Sequence, residues 1–346
     1  MNTPGSGTPR LAADTGERGL IARIRHRLPP APPELVVGPG DDAAVVRPDR
    51  GALQILTTDA LVEGVHFDLR FSSPADVGHK ALAVNLSDIA AMGGVPRFAL
   101  LSLMLPASCT LDAVDQLLDG LFALAGRSRV TVAGGNIARS PGPLVVDMAV
   151  TGAAKVRKVL TRSGGRAGDR LYVSGRIGAA KAGLEWLRSR TSAEALQLTA
   201  DAGLDECVAH HRRPEPRSRL GALLGRARAA SACMDLSDGL ADAVRQMAEA
   251  SGTGAKIESA GLPIHPAAAA WFREHDADPV DRALEGGDDY ELLFAVPARF
   301  KGRFRAVTRL VHGLSLTHIG ELTSERSIRL VRDGVDVELP GGFVHF

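Results

Sequence analysis

The chain has 346 residues, 45% of them hydrophobic and 23% charged, which suits a globular protein with room for two domains. Its 41 basic and 40 acidic residues leave a formal charge of +1, which excludes the basic footprint of a nucleic-acid binder. Cys109, Cys207 and Cys233 are odd in number and far apart, so reduced thiols are expected rather than a disulfide framework or a zinc spacing.

Residues 1–13 are polar and read as a disordered tail, with no apolar core of a signal peptide. Apolar runs such as 98–105 are too short to span a bilayer, so no membrane association and a cytoplasmic location are expected. Asp14 or Thr15 is placed to cap a helix with the apolar stripe Leu20, Ile21, Ile24 and Leu28, stopped by the prolines at 29–33. Strands are expected at about 34–37, 43–46 and 53–58, with a further strand at about 61–68 carrying Glu63, His66 and Asp68. Pro74 opens a helix to about Met92, ended by Gly93-Gly94, with Asp88 late in it. A buried strand follows at 98–105, then a helix at 111–125. A strand at 129–132 leads into Gly134-Gly135-Asn136, and another spans 144–150.

A second region begins near 153. Gly175-Arg176-Ile177-Gly178 lies between a strand at 170–173 and a helix, in the manner of a weak anion-binding turn. His210-His211-Arg212-Arg213 reads as a solvated basic helix end. A strand at 231–234 meets Asp235-Leu236-Ser237-Asp238-Gly239 and a helix to about 250. A strand at 290–296 follows Gly287-Asp288-Asp289, and short strands near 316–320, 327–331 and 335–338 close the chain.

Acidic residues recur beside these apolar segments, at Gly40-Asp41-Asp42, Thr57-Thr58-Asp59, Asn85-Leu86-Ser87-Asp88, Asp235-Leu236-Ser237-Asp238 and Asp288-Asp289. If they converge, each like-charged pair at about 4 Å costs about 4 kcal/mol even at an effective dielectric of about 20. Cations would have to hold such a cluster, and oxygen-only donors suit Mg²⁺. The Walker lysine motif and the protein-kinase motif set are both missing. The residues alone point to metal-dependent phosphate chemistry and leave kinase, ligase and phosphohydrolase open.

These blocks, with Leu160-Thr161-Arg162-Ser163-Gly164 and Gly286-Gly287-Asp288-Asp289-Tyr290-Glu291-Leu292, resemble the thiamine-monophosphate kinase family from about residue 17 to the end. That family lies within the aminoimidazole ribonucleotide synthetase superfamily. The resemblance implies a two-domain α/β (α+β) fold. Residues 14–152 would be the metal- and ATP-binding N-terminal domain, forming a shared β-barrel in a homodimer, and residues 153–346 the C-terminal α/β domain. It implies ATP-dependent phosphorylation of thiamine monophosphate to thiamine diphosphate by direct transfer with several Mg²⁺ ions. The alternatives are another ATP-dependent enzyme of the superfamily or a nucleotide-binding protein with impaired turnover.

Carried over by position, Asp42, Asp59, Asp88 and Asp235 would be the principal catalytic Mg²⁺ ligands. Thr57, Thr58, Asn136 and Asp238 would complete the metal set. Gly135, Asn136, Arg162 and Ser237 would contact ATP, and His66, Asp288 and Phe343 the thiamine phosphate. Asn136 stands where the family usually has Asp, and Asp288 where it has Glu.

Overall fold

The computed structural model describes residues 10–39, 43–191 and 202–341. These divide into two compact units. One comprises the chain up to Pro48 with Thr58–Leu82 and Arg97–Val150; the other comprises Asp49–Thr57, Ala83–Pro96 and the chain from Thr151.

The first stretch runs α1 (Ala12–Arg27), β1 (Leu35–Val37), β2 (Val45–Val46), β3 (Ala52–Val62), α2 (Pro74–Ala91), β4 (Val95–Pro106), α3 (Leu111–Ser128), β5 (Thr131–Ser140) and β6 (Val145–Lys155). β1 and β2 form an antiparallel pair, and four strands form a sheet in the order β3-β6-β4-β5. Alternation along β4 and β6 buries Ala99, Leu101, Leu103, Leu105, Val146, Met148 and Val150 on one face of this sheet. α3 turns its apolar stripe, Val114, Leu117, Leu121 and Leu124, inward, and Thr110 caps it by accepting the Ala113 N–H at 3.1 Å. α2 packs on α3 through glycine: a Cβ at Gly78 would collide with the Leu117 carbonyl, and one at Gly120 with the Ala75 carbonyl. α1 is tied to α3 by Arg23 and Arg27, whose guanidinium groups donate to Asp115 and Asp119.

The remaining elements are β7 (Arg170–Ser174), α4 (Ala179–Arg188), α5 (Ala202–Arg212), α6 (Ser218–Ala227), β8 (Ala232–Asp235), α7 (Leu240–Ser251), β9 (Gly254–Glu258), α8 (Pro266–Glu274), α9 (Pro279–Glu285), β10 (Leu292–Val296), α10 (Lys301–Leu310), β11 (Leu316–Thr323), β12 (Ile328–Arg332) and β13 (Val335–Glu338). Seven strands form a mixed sheet ordered β13-β12-β9-β11-β7-β10-β8, antiparallel except for β12 against β9. β10 is buried along its whole length. Leu293 and Ala295 pack in one core with α7, while Leu292, Phe294 and Val296 pack in another with α6 and α10. A strand covered on both faces reads as continuously apolar, as this one does. Among the described residues no helix is long and apolar enough to cross a membrane.

Several expectations change. Of the tail at 1–13, residues 1–9 lie outside the described residues, and α1 starts at Ala12 but breaks at Gly16, with φ of 69°, before the part that carries Leu20, Ile21 and Ile24. Asp14 sits inside α1, where its carboxylate accepts the Leu11 N–H at 3.3 Å. The strand expected at 61–68 does not form: β3 ends at Val62, and 63–67 turn under a bridge between Glu63 and Phe67. Gly134-Gly135-Asn136 is not a strand end, because β5 runs through it to Ser140. The basic end of α5 is not a solvated face, since His211 is buried.

Candidate functional site

In the second unit, three of the expected metal ligands come together. β8 ends on Asp235, which is 5% exposed. The Ser87 hydroxyl donates to Asp235 Oδ2 at 2.8 Å, and the Thr57 hydroxyl of β3 donates to Asp88 Oδ2. α2 thus presents Ser87 and Asp88 as successive residues to partners from two different strands. Burial pushes the Asp235 carboxyl up to about 7, with the charge of Asp88 adding to the rise and nearby Arg162 opposing it. Burial and the Asp235 charge also push the neighbouring Cys233 thiol up, so it stays protonated and unreactive. Arg162 is exposed and is held by Gln246 of α7.

Every donor in this set is oxygen, which is the chemistry Mg²⁺ takes, and a buried carboxylate raised by a neighbouring carboxylate is what a divalent cation relieves. The residues therefore fit the metal, although among the described residues no three His, Cys, Asp or Glu side chains enclose one point. Asp41 and Asp42 lie outside the described residues, as does Phe343.

The loop between β8 and α7 strengthens the same region. The Ser237 hydroxyl donates to Asp238 Oδ2 at 3.3 Å, and the Asp288 N–H donates to the Ser237 carbonyl at 2.8 Å. The Tyr290 N–H donates to the Leu236 carbonyl at 2.9 Å, so Gly286–Tyr290 is laced to Asp235–Gly239. Asp289 is buried and accepts the Gly178 and Ala180 N–H groups at 2.7 and 3.2 Å. The helix start that resembles an anion site is therefore filled by the protein's own carboxylate, and no external anion is needed there. Glu291 is buried against Arg217, whose Nε donates at 2.7 Å, and the Ser174 hydroxyl, at 2.5 Å.

The other expected residues lie in the first unit. Alternation along β3 turns Thr58 away from the face that carries Thr57 and Asp59, and the Thr58 hydroxyl donates to Asp147 Oδ1 at 3.0 Å. Asn136 is exposed in mid-strand, paired in register with Ser102 of β4. Gly135 beside it is required, because a Cβ there would collide with the Leu101 carbonyl. His66 Nδ1 accepts the Val62 N–H at 3.1 Å, which leaves its proton on Nε2, and Lys80 Nζ donates to the His66 carbonyl at 3.1 Å. Sequence reasoning assigned no role to Ser87, Asp147, Asp289 or Tyr290. Three of the four lie within or beside the quoted motifs, and Asp147 lay in an ordinary strand.

Fold and acidic site together define an AIR synthase related protein. The N-terminal domain of AIR synthase related proteins is matched over residues 40–154 and their C-terminal domain over residues 166–333. Thiamine-monophosphate kinase of Salmonella typhimurium is 37% identical over 337 residues, covering 96% of this chain and 98% of the relative. The crystal structure of thiamine-monophosphate kinase from Stenotrophomonas maltophilia K279a matches at 33% identity with a TM-score of 0.78, over 92% of this chain and 96% of that one. The structure of AaThiL complexed with AMPPCP and TMP matches at 31% identity with a TM-score of 0.75, over 98% of this chain and all of that one. The chain belongs to the thiamine-monophosphate kinase family.

Proposed function

We propose that this chain transfers the γ-phosphoryl group of ATP to thiamine monophosphate, giving thiamine diphosphate and ADP. The observation that carries the reading is the oxygen cluster of Thr57, Ser87, Asp88 and Asp235 beside Arg162, in a chain of this family. The relative seen with AMPPCP and TMP supports the pairing of an adenine nucleotide with thiamine monophosphate.

Asp88 and Asp235 would hold Mg²⁺, together with Asp42, Asp59, Asp238, Thr57, Thr58 and Asn136. When bound, the ion neutralises phosphate oxygens and aligns them for displacement. Arg162 is a permanent cation and binds the phosphate chain, and Ser237 and Gly135 frame the nucleotide. His66 offers an Nε2–H to the thiamine phosphate, and Asp288 and Phe343 hold its cationic ring system. The acceptor oxygen is already ionised at neutral pH, so no residue has to remove a proton from it. That oxygen bonds to the γ-phosphorus as the bridge to the β-phosphate breaks in line, and the electron pair leaves with ADP. No nucleophile with an adjacent base is required, so no phosphoenzyme forms.

Residues 14–152 act in this reading as the metal- and ATP-binding domain and 153–346 as its C-terminal partner. The enzyme works in the cytoplasm as a homodimer whose N-terminal sheets close one barrel. The deciding experiment is steady-state ADP release with ATP, Mg²⁺ and thiamine monophosphate. Release that depends on thiamine monophosphate and Mg²⁺ is expected; inorganic phosphate release without thiamine monophosphate would replace the reading with a phosphohydrolase.

A further inference from the structure

The motif Asp288-Asp289-Tyr290-Glu291 contains three acids, and the fold treats them differently. Asp289 and Glu291 are buried, one on the N-terminus of α4 and the other on Arg217 and Ser174. They anchor the loop from below. Asp288, between an anchor and a backbone tie to Ser237, reaches the surface with its side chain 32% exposed. Its backbone and that of Tyr290 both lie in the left-handed region, with φ of 68° and 47°. Glycine takes that region freely and Asp tolerates it, but a bulky aromatic such as Tyr290 is a genuine outlier there. Such a conformation persists only where the surroundings hold it, and it clusters at ligand sites.

The Tyr290 hydroxyl donates to Asp288 Oδ1 at 3.2 Å, and His211 Nδ1 lies 3.6 Å from Asp288 Oδ2. Tyr290 is buried, and the His211 side chain is 5% exposed, so neither is free to swing into solvent. The carboxylate is therefore held at Oδ1 by the Tyr290 hydroxyl, and the buried His211 ring of α5 stands beside Oδ2 and limits where it can turn. A flexible surface Asp would be ordered by its ligand on binding; this one is ordered beforehand, and preorganisation of that kind appears as affinity.

We infer that Tyr290 and His211 are positioning residues that aim the Asp288 carboxylate at the cationic ring system of thiamine monophosphate. The inference rests on the substrate reading of Asp288 given above. It predicts a defect confined to one substrate. Of the residues assigned to phosphate and ions, Ser237 meets the clamp through its backbone carbonyl, which accepts the Asp288 N–H at 2.8 Å and which side-chain changes at Tyr290 and His211 leave in place. A role in holding the fold alone would instead change stability, or both substrates alike.

The test compares the Michaelis constants for thiamine monophosphate and for ATP, kcat, and the thermal midpoint in wild type, Asp288→Ala, Tyr290→Phe, His211→Ala and His211→Asn. Tyr290→Phe keeps the buried ring and deletes only the hydroxyl. It should raise KM for thiamine monophosphate about three- to tenfold, the effect of one hydrogen bond, with kcat and KM for ATP within about twofold. His211→Ala should act the same way, and His211→Asn, which keeps a polar group near the Nδ1 position, should recover most of the loss. In the Asp288→Ala background, Tyr290→Phe should add nothing further, because the carboxylate it aims is gone. Unchanged KM for thiamine monophosphate in Tyr290→Phe, an equal rise in KM for ATP, or full additivity with Asp288→Ala would each overturn the proposal while Asp288→Ala still raises that KM. If Asp288→Ala itself leaves the KM unchanged, the substrate reading of Asp288 fails and takes the clamp with it. If His211→Ala does not fold, Tyr290→Phe decides alone.

Discussion

At the scale of single residues, Asp235 carries the sharpest consequence. Its folded-state pKa is about 7, raised by burial and by Asp88, against about 3.9 in an unfolded chain. Between those values the native state keeps a proton that the unfolded state has released. A raised carboxyl therefore favours folding at low pH, and its contribution is lost as pH rises, fully so above about 7. In EDTA, Asp235→Asn should be more stable than wild type at pH 8, by a margin on the order of a few kcal/mol that shrinks steadily toward pH 4. Denaturant titrations at the two pH values measure this, and a margin that does not change with pH sinks the assignment. With saturating Mg²⁺ the order should reverse, because only the carboxylate gains from the ion. Asp88→Ala, by contrast, should fold and lose about a hundredfold or more of kcat, as expected when charge stabilisation at the transferred group is removed. Near-normal turnover in that variant would refute its metal role. Asp88 and Asp235 were legible in the sequence because each sits in a compact motif at the end of a regular element. The bond from Ser87 to Asp235 was not, since it joins positions 148 residues apart and leaves no local pattern.

At the scale of elements, glycine decides how closely the pieces approach. Gly78 in α2 faces the Leu117 carbonyl, whereas Gly126 in α3 has nothing within 4 Å of an added Cβ. Alanine is the better helix former by about 1 kcal/mol in both places. Gly126→Ala should therefore stabilise by up to about that amount, while Gly78→Ala should lose roughly 2 kcal/mol or more, because overpacking against fixed backbone exceeds the propensity gain. Thermal melts of the two variants check this, and a stabilised Gly78→Ala would mean that α2 and α3 are not held at this distance. The same residue type explains where the sequence misled. Gly134-Gly135 has the composition of a turn, yet β5 continues through it, and the glycine is there so that the Leu101 carbonyl of the neighbouring strand fits. Strands such as β10 and helices such as α3 were legible because burial on two faces or on one stripe imprints its own period. Close backbone approach imprints only a missing side chain, which a turn shares. His211 failed for a related reason. A run of two histidines and two arginines reads as solvated, and only the fold shows that His211 is buried and that His210 meets the Asp289 carbonyl at 2.9 Å.

At the scale of the whole molecule, the four-stranded sheet leaves one face open. One face is closed: Leu101, Leu103 and Leu105 of β4 and Val146, Met148 and Val150 of β6 are buried. The alternate positions make the other face, and there Phe98, Ser102 and Met104 are only half-buried and Leu100 is 45% exposed. On β3, Leu56 is 70% exposed and is followed on its face by Thr58 and Ala60, which are exposed too. Scattered exposed leucines need no explanation, but one sheet face that carries them on two strands does. Such a face left in water invites uncontrolled pairing, and specific partners bury about 800 Å² a side to cover one. The homodimer proposed above would cover it with a second copy of the same sheet. Light scattering at micromolar concentration should therefore return twice the chain mass. Leu56→Lys should shift that mass toward the monomer, since a cation cannot be buried there without a partner. Turnover should fall with the dimer population and recover as protein concentration is raised. A wild-type protein that scatters as a monomer, or a Leu56→Lys variant that remains a dimer at every concentration, would remove this face from the assembly.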